Sequence, residues 1–344
     1  MRYITPTDGI WAWMRERKPL MPFEANTPEE CKAWQRRFKA QIRRLLGPMP
    51  PKVPLNPEIL EEQDMGNYIR RKVIYDADAY ASVPAYLLIP KGIKSGEKRP
   101  AILAAHGHGH GKSDICGVAE DEERKQFIRQ LNYDYAHQFA ERGYVVIAPD
   151  WRSFGERVSP PDWVRQWRDQ CNMNYLAYGY QGYHLLALQI SDGMRTIDYL
   201  QTLPEVDPKR IGCAGLSFGG TMTTYMAALE PRIKVACISG YLSTLEDAIS
   251  MRGLGNFCGS QYMPGLAKYG NIADVGALIA PKPLVVEMGE KDTCFIIEDM
   301  KKAYEHVRRA YEVLGCPGRI APDIHPGEHM WSGRVAFDWF EKWL

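Results

Sequence analysis

The chain has 344 residues, enough to bury a large core in one domain or two. Apolar content of 45% and charged content of 25% are ordinary for a globular protein, and a net charge of +1 at pH 7 supplies no field to draw in nucleic acid or an acidic membrane surface. No apolar run is long enough to span a bilayer, and residues 1–23 carry charges where a signal peptide needs an apolar centre, so the expectation is a cytoplasmic protein.

Residues 1–64 are expected to form an N-terminal helical extension. Thr27-Pro28-Glu29-Glu30 offers an N-cap, a proline in the first turn and two acids at the positive helix end. Trp34, Phe38, Ile42 and Leu45 then recur at helical spacing, and Gly47-Pro48 stops the run. The basic residues of this helix, Lys32, Arg36, Arg37, Lys39, Arg43 and Arg44, read as a solvated face opposite a docked aromatic stripe.

Residues 65–344 are expected to form the main domain. Residues 70–75 and 83–89 suggest an antiparallel pair. Five apolar runs follow, AILAAH (101–106), YVVIAPD (144–150), RIGCAGLS (210–217), IKVACISG (233–240) and PLVVEMG (283–289), with RIAPDIH (319–325) as a poorer sixth. Helical segments separate them, clearest over residues 183–203, where Leu186, Ile190, Met194, Ile197 and Leu200 mark one face and Pro204 ends it. Short apolar strands alternating with helices predict an α/β fold, with a mostly parallel sheet covered on both faces. The stretches 112–130, 151–182 and 241–280 are long for plain connections and are expected to pass over the site. The eight cysteines show no Cys-x-x-Cys pair and read as reduced thiols.

Chemistry concentrates in a few places. Gly215-Leu216-Ser217-Phe218-Gly219-Gly220 follows a predicted strand and opens a helical stretch, the setting in which Gly-x-Ser-x-Gly makes a nucleophile elbow. A serine nucleophile needs a base, and the base needs an orienting acid, both later in the chain in this arrangement. Asp292, just past PLVVEMG, is the preferred acid over Glu290 and Asp247. His329 in DIHPGEHMW is the preferred base over His325, because a loop can bring an imidazole over the elbow more freely than a strand end. The run HGHGHGK (106–112) fits two readings: His106, His108 and His110 converging on a metal, or a glycine loop holding an anion. With Ser217 as nucleophile the second is preferred. The backbone N–H groups of His108 and Phe218 then form the oxyanion hole, with no metal and no cofactor.

HGHGHGK, DWRSFGE (150–156), GLSFGG (215–220), APKPLVVEMGEKD (280–292) and GEHMW (327–331) together resemble the α/β-hydrolase superfamily, and within it serine carboxylesterases of the dienelactone-hydrolase and acetyl xylan esterase type. The resemblance covers about residues 65–344. It implies a Ser217–His329–Asp292 triad and an esterase acting on short-chain acyl esters, carbohydrate esters included. Dienelactone hydrolases proper carry cysteine where this chain has Ser217. Within DWRSFGE, Asp150 and Arg152 are expected to brace the loop. Trp151, Phe154 and Trp331 are candidates for the substrate wall, and Trp163, Trp167, Tyr175, Tyr178 and Tyr180 add large side chains to the covering segment. The alternatives are a serine peptidase related to prolyl oligopeptidases and a metal-binding or interaction protein on the same fold.

Overall fold

The computed structural model describes residues 2–160, 169–246 and 257–344; Trp163, Trp167 and Asp247 lie outside the described residues. Among these residues one nine-stranded sheet runs through the molecule, in the spatial order β1-β2-β3-β5-β4-β6-β7-β8-β9. Its strands are β1 (Glu58–Asp64), β2 (Tyr68–Asp78), β3 (Ala81–Pro90), β4 (Arg99–Ala105), β5 (Val145–Pro149), β6 (Val206–Leu216), β7 (Ile233–Ser239), β8 (Leu284–Gly289) and β9 (Ile320–His325). The β1–β2, β2–β3 and β3–β5 pairs are antiparallel, and the remaining five are parallel. The mostly parallel sheet expected from the alternating runs is observed, and with it the α/β-hydrolase architecture that the resemblance implies.

Both faces of the sheet are buried, which is why its central strands read as continuous apolar runs. Successive side chains still separate by face. Leu103, Ala105, Ile147 and Cys213 enter one core, while Ile102, Ala104, Val146 and Ala214 enter the other. The first core is covered by α2 (Pro28–Leu46), α7 (Leu185–Leu200), α8 (Phe218–Leu229), α10 (Ile272–Ala277) and α11 (Ile297–Val313). The second is covered by α3 (Lys112–Ile115), α4 (Glu122–Gln130), α5 (Tyr135–Glu141) and α12 (Ala336–Trp343). Two further helices, α6 (Gln170–Tyr180) and α9 (Leu266–Tyr269), lie in the long connections. No helix among the described residues is long and apolar enough to cross a membrane.

The N-terminal arm differs from expectation in two ways. It holds a second helix, α1 (Pro6–Glu16), whose Thr5-Pro6-Thr7-Asp8 start repeats the cap, proline and acid signature of α2. Residues 58–64, expected in the helical extension, instead form edge strand β1. Every residue of β1 is exposed, so it has no buried face to produce an apolar alternation. Helix α2 begins with the capping box of Thr27 and Glu30, and buries Cys31, Trp34, Phe38, Ile42 and Leu46, the last in place of the expected Leu45. Gln35 caps the carbonyls of Ala277 and Ala280, which joins the arm to the main body.

The chain leaves β4 toward α5 on one face and leaves β6 toward α8 on the other. Because β4 and β6 are parallel neighbours, with Ala105 paired to Gly215, the two connections part above their carboxyl ends. That crevice is where an open α/β sheet presents a ligand site. HGHGHGK and GLSFGG meet there.

Candidate active site

Ser217 stands at the turn from β6 into α8 with φ 63° and ψ −121°. A non-glycine residue held in that region costs on the order of 1–3 kcal/mol, so the surroundings must impose it. They do so through close backbone approach. A Cβ on Gly219 would run into the carbonyl of Ala105, and one on Gly220 would lie 2.6 Å from Cβ of Tyr241. The Ser217 N–H donates to the carbonyl of Ser239 at 3.0 Å, which ties the elbow to the end of β7.

Asp292 follows β8 and is held from two sides. Its Oδ1 accepts the N–H groups of Cys294 (2.7 Å) and Phe295 (2.9 Å), and its Oδ2 lies 2.8 Å from Nδ1 of His329. Backbone donors thus fix the carboxylate while one oxygen remains for the imidazole. Nε2 of His329 is buried and meets no partner among the described residues. The ring lies over Gly240, where a Cβ would come within 3.0 Å of Cε1. His325 is elsewhere: it ends β9 and accepts the N–H of Gly327, and burial lowers its pKa. Glu290 lies exposed on the same turn as Asp292, and its N–H donates to the His325 carbonyl.

The loop that carries His329 rests on an acid the sequence reading passed over. Glu287, in the middle of β8, accepts the N–H groups of Ser332 (3.0 Å) and Gly333 (2.8 Å), and Asp323 accepts the hydroxyl of Ser332 at 2.7 Å. Burial pushes the Glu287 carboxyl up to about 7. A carboxylate inside an apolar strand was the available signal, since acids are almost never fully buried without partners.

The three histidines of HGHGHGK do not converge, because the glycines break the alternation. His106 is fully buried; its Nε2 accepts the N–H of Trp151 at 3.1 Å, its Nδ1 bonds the Gly107 carbonyl, and burial lowers its pKa. The exposed His108 ring lies edge-on against both Phe154 and Phe218, with Nε2 3.3 Å from Sγ of Cys258. His110 is exposed and gives its N–H to Asp114. Among the described residues the N–H groups of His108 and Phe218 meet no protein acceptor.

Asp150 braces this loop, whereas Arg152 ties its own segment to Asp78 and Asp192. Asp150 accepts the backbone N–H (2.7 Å) and the ammonium (2.6 Å) of Lys112. Burial alone would lower the Lys112 pKa, but Asp150 and Glu156 outweigh it and raise the value. Gly111 and Gly155 both have positive φ and both abut Asp150, so neither position has room for a side chain. Arg152 bonds Asp78 at 2.5 Å and both oxygens of Asp192 at 2.9 Å.

Ser217, His329 and His108 line one cavity of about 420 Å³, a size suited to a small-molecule ligand. Its apolar walls are Phe127, Tyr133, Phe257 and Phe295. The three aromatic residues expected there are elsewhere. Trp151 and Trp331 are fully buried, Trp331 stacked on Tyr135, and Phe154 stacks on Phe218 beneath the histidine loop. For such large rings, burial against the body dominates over adjacency to the site in sequence. Of the covering tyrosines, Tyr175 meets Tyr262 edge-on, Tyr178 bonds Arg152, and Tyr180 is exposed.

Comparison with known proteins bears on the fold that carries this geometry. The candidate hydrolase YtaP of Bacillus subtilis is 29% identical, over 89% of this chain and 98% of its own length. Dipeptidyl-peptidase 5 of Porphyromonas gingivalis is 23% identical, and the match takes in 75% of this chain but 36% of that protein. A candidate acetyl xylan esterase of Bacteroides fragilis superimposes with a TM-score of 0.83 at 18% identity, over 99% of this chain and 95% of that one. A glucuronoyl esterase of Solibacter usitatus does so with a TM-score of 0.65 at 16% identity, over 90% and 92%. The model of the Abhydrolase family matches residues 1–330, and with the sheet, the elbow and the crevice in agreement, the chain belongs to that family.

Proposed function

We propose that this protein is a serine carboxylesterase acting on short-chain acyl esters, acetylated carbohydrate among them. The observation that carries the reading is the 2.8 Å contact between Asp292 and Nδ1 of His329, with Nε2 of the same ring unpartnered on the cavity that Ser217 lines. In this reading Nε2 takes the proton of Ser217 as its Oγ attacks the ester carbonyl. Asp292 holds the tautomer and stabilises the imidazolium. The developing oxyanion takes the N–H groups of His108 and Phe218, each such donor being worth on the order of 10²–10³ in rate. His329 then protonates the departing alcohol, and water repeats the attack on the acyl-enzyme. The chemistry requires no bound cofactor.

The two similar structures are a candidate acetyl xylan esterase and a glucuronoyl esterase, which supports an ester substrate. An ester also demands less of the site, because its alkoxide leaves more readily than an amine. Four aromatic walls around a cavity of this size favour a short acyl group. The test is kcat/KM for p-nitrophenyl esters from acetate to palmitate, with the matched anilide beside them. A maximum between acetyl and butyryl is expected, together with negligible anilide cleavage. A maximum at octanoyl or beyond would overturn the short-chain reading, and comparable anilide cleavage would favour the peptidase alternative.

A further inference from the structure

Outside the proposed chemistry, three side chains from three separate segments converge on one point. They are His108 of the loop after β4, Cys171 in the first turn of α6, and Cys258 in the stretch that follows β7. One ligand atom of each, a ring nitrogen and two sulfurs, lies within 4.8 Å of the other two, and the His108–Cys258 contact is 3.3 Å. In a tetrahedral zinc site, bond lengths of about 2.0–2.1 Å to nitrogen and 2.3 Å to sulfur set ligand atoms roughly 3.5–3.8 Å apart. We propose that His108, Cys171 and Cys258 form a binding site for a thiophilic d¹⁰ divalent ion of the zinc type.

The segments are fixed beside each ligand. The N–H of Cys171 donates to Asp169 at 2.7 Å, and the N–H of Gly259, next to Cys258, donates to Asn172 at 2.9 Å. Gly259 lies so close to Tyr175 that a Cβ would not fit, which clamps the two cysteine segments together. The His108 ring meets the stacked pair Phe154 and Phe218 edge-on. Two sulfur ligands select against magnesium and calcium, which take oxygen. His108 and Cys258 also line the Ser217 cavity, so the fourth position opens there, to water or to an oxygen of a bound ligand. The site stands whether or not Ser217 is the nucleophile. The competing account is plain packing: two buried thiols, one of them hydrogen-bonded to an imidazole.

Equilibrium dialysis of the reduced, metal-stripped full-length protein against Zn²⁺ separates the two. One ion per chain is expected, with a zinc X-ray absorption shell of two sulfurs and at least one imidazole nitrogen. Co²⁺ should give a sulfur-to-cobalt charge-transfer band and visible bands of tetrahedral intensity. Cys171→Ser and Cys258→Ser should each weaken binding by more than about tenfold, a loss that even outer-shell changes reach. Should these variants not fold, the absorption shell of the unaltered protein decides. Absence of uptake, a shell without sulfur, or affinity unchanged in both variants would overturn the proposal. So would uptake abolished by Cys294→Ser alone, which would place the ion at Asp292, Cys294 and His329.

Discussion

Ser217 occupies a backbone conformation that is costly for a serine, and its side chain faces the cavity shared with His329. Ser217→Ala is expected to leave a folded protein with ester turnover near background, since loss of a triad serine costs on the order of a millionfold. Residual activity within roughly tenfold of the parent would remove Ser217 from the chemistry. The two histidines provide an internal control. His329→Ala should match the serine variant, while His325→Ala should cost far less, because among the described residues the latter ring's hydrogen-bond partner is the Gly327 N–H. Single-turnover assays of the pair decide which is the base; a dead His325 variant beside an active His329 variant would reverse the assignment. That Ser217, Asp292 and His329 would come together was legible because the apolar runs marked where the strands stop and all three follow strand ends. The Trp151, Phe154 and Trp331 placements failed for a different reason. Sequence gives a side chain's neighbours along the chain, but not which way a ring of that size turns when a core lies on the other side.

At the scale of elements, β8 carries both Glu287, within the strand, and the turn that presents Asp292. Glu287 has a pKa raised from 4.5 to about 7 by burial, so the folded protein holds a proton that the unfolded chain has already lost. The neutral carboxyl's contribution is therefore complete below the unfolded value and is lost as pH rises through about 7. Relative to Glu287→Gln, the wild type should lose on the order of 2–3 kcal/mol across that window. Urea unfolding of both proteins from pH 5 to pH 8 measures the difference, and a gap independent of pH would show that the buried charge is not responsible. Most strands were readable because both sheet faces are buried. Strand β1 was not, since seven exposed residues at an edge carry no pattern for burial to impose.

Across the whole molecule, the arm and the body share one core. Helix α1 buries no residue, whereas α2 packs against α11 and places Trp34, Phe38 and Ile42 in the core that covers one face of the sheet. Each such large apolar side chain contributes roughly 1.5–3 kcal/mol when fully buried. Deleting residues 1–16 should shift Tm by no more than a few degrees, while deletion through Leu46 should give a chain that does not fold to a cooperative state. Calorimetry of the two truncations checks this, and a cooperative transition in the longer deletion would make α2 a separable appendage. The capping signature of α2 was plain in the sequence. Its partners were not, because a stripe of apolar residues says that a surface will be covered without saying by what.

His106 gives its ring to the N–H of Trp151, and Lys112 gives its ammonium and its own N–H to Asp150. The segments 106–112 and 150–157 are thus mechanically one piece, closed by two glycines with no room to vary. For anyone grafting this histidine loop onto another member of the family, the transferable part is the pair. Moved without its partner, the histidine loop would lose its buried counterion and the acceptor role that orients His106.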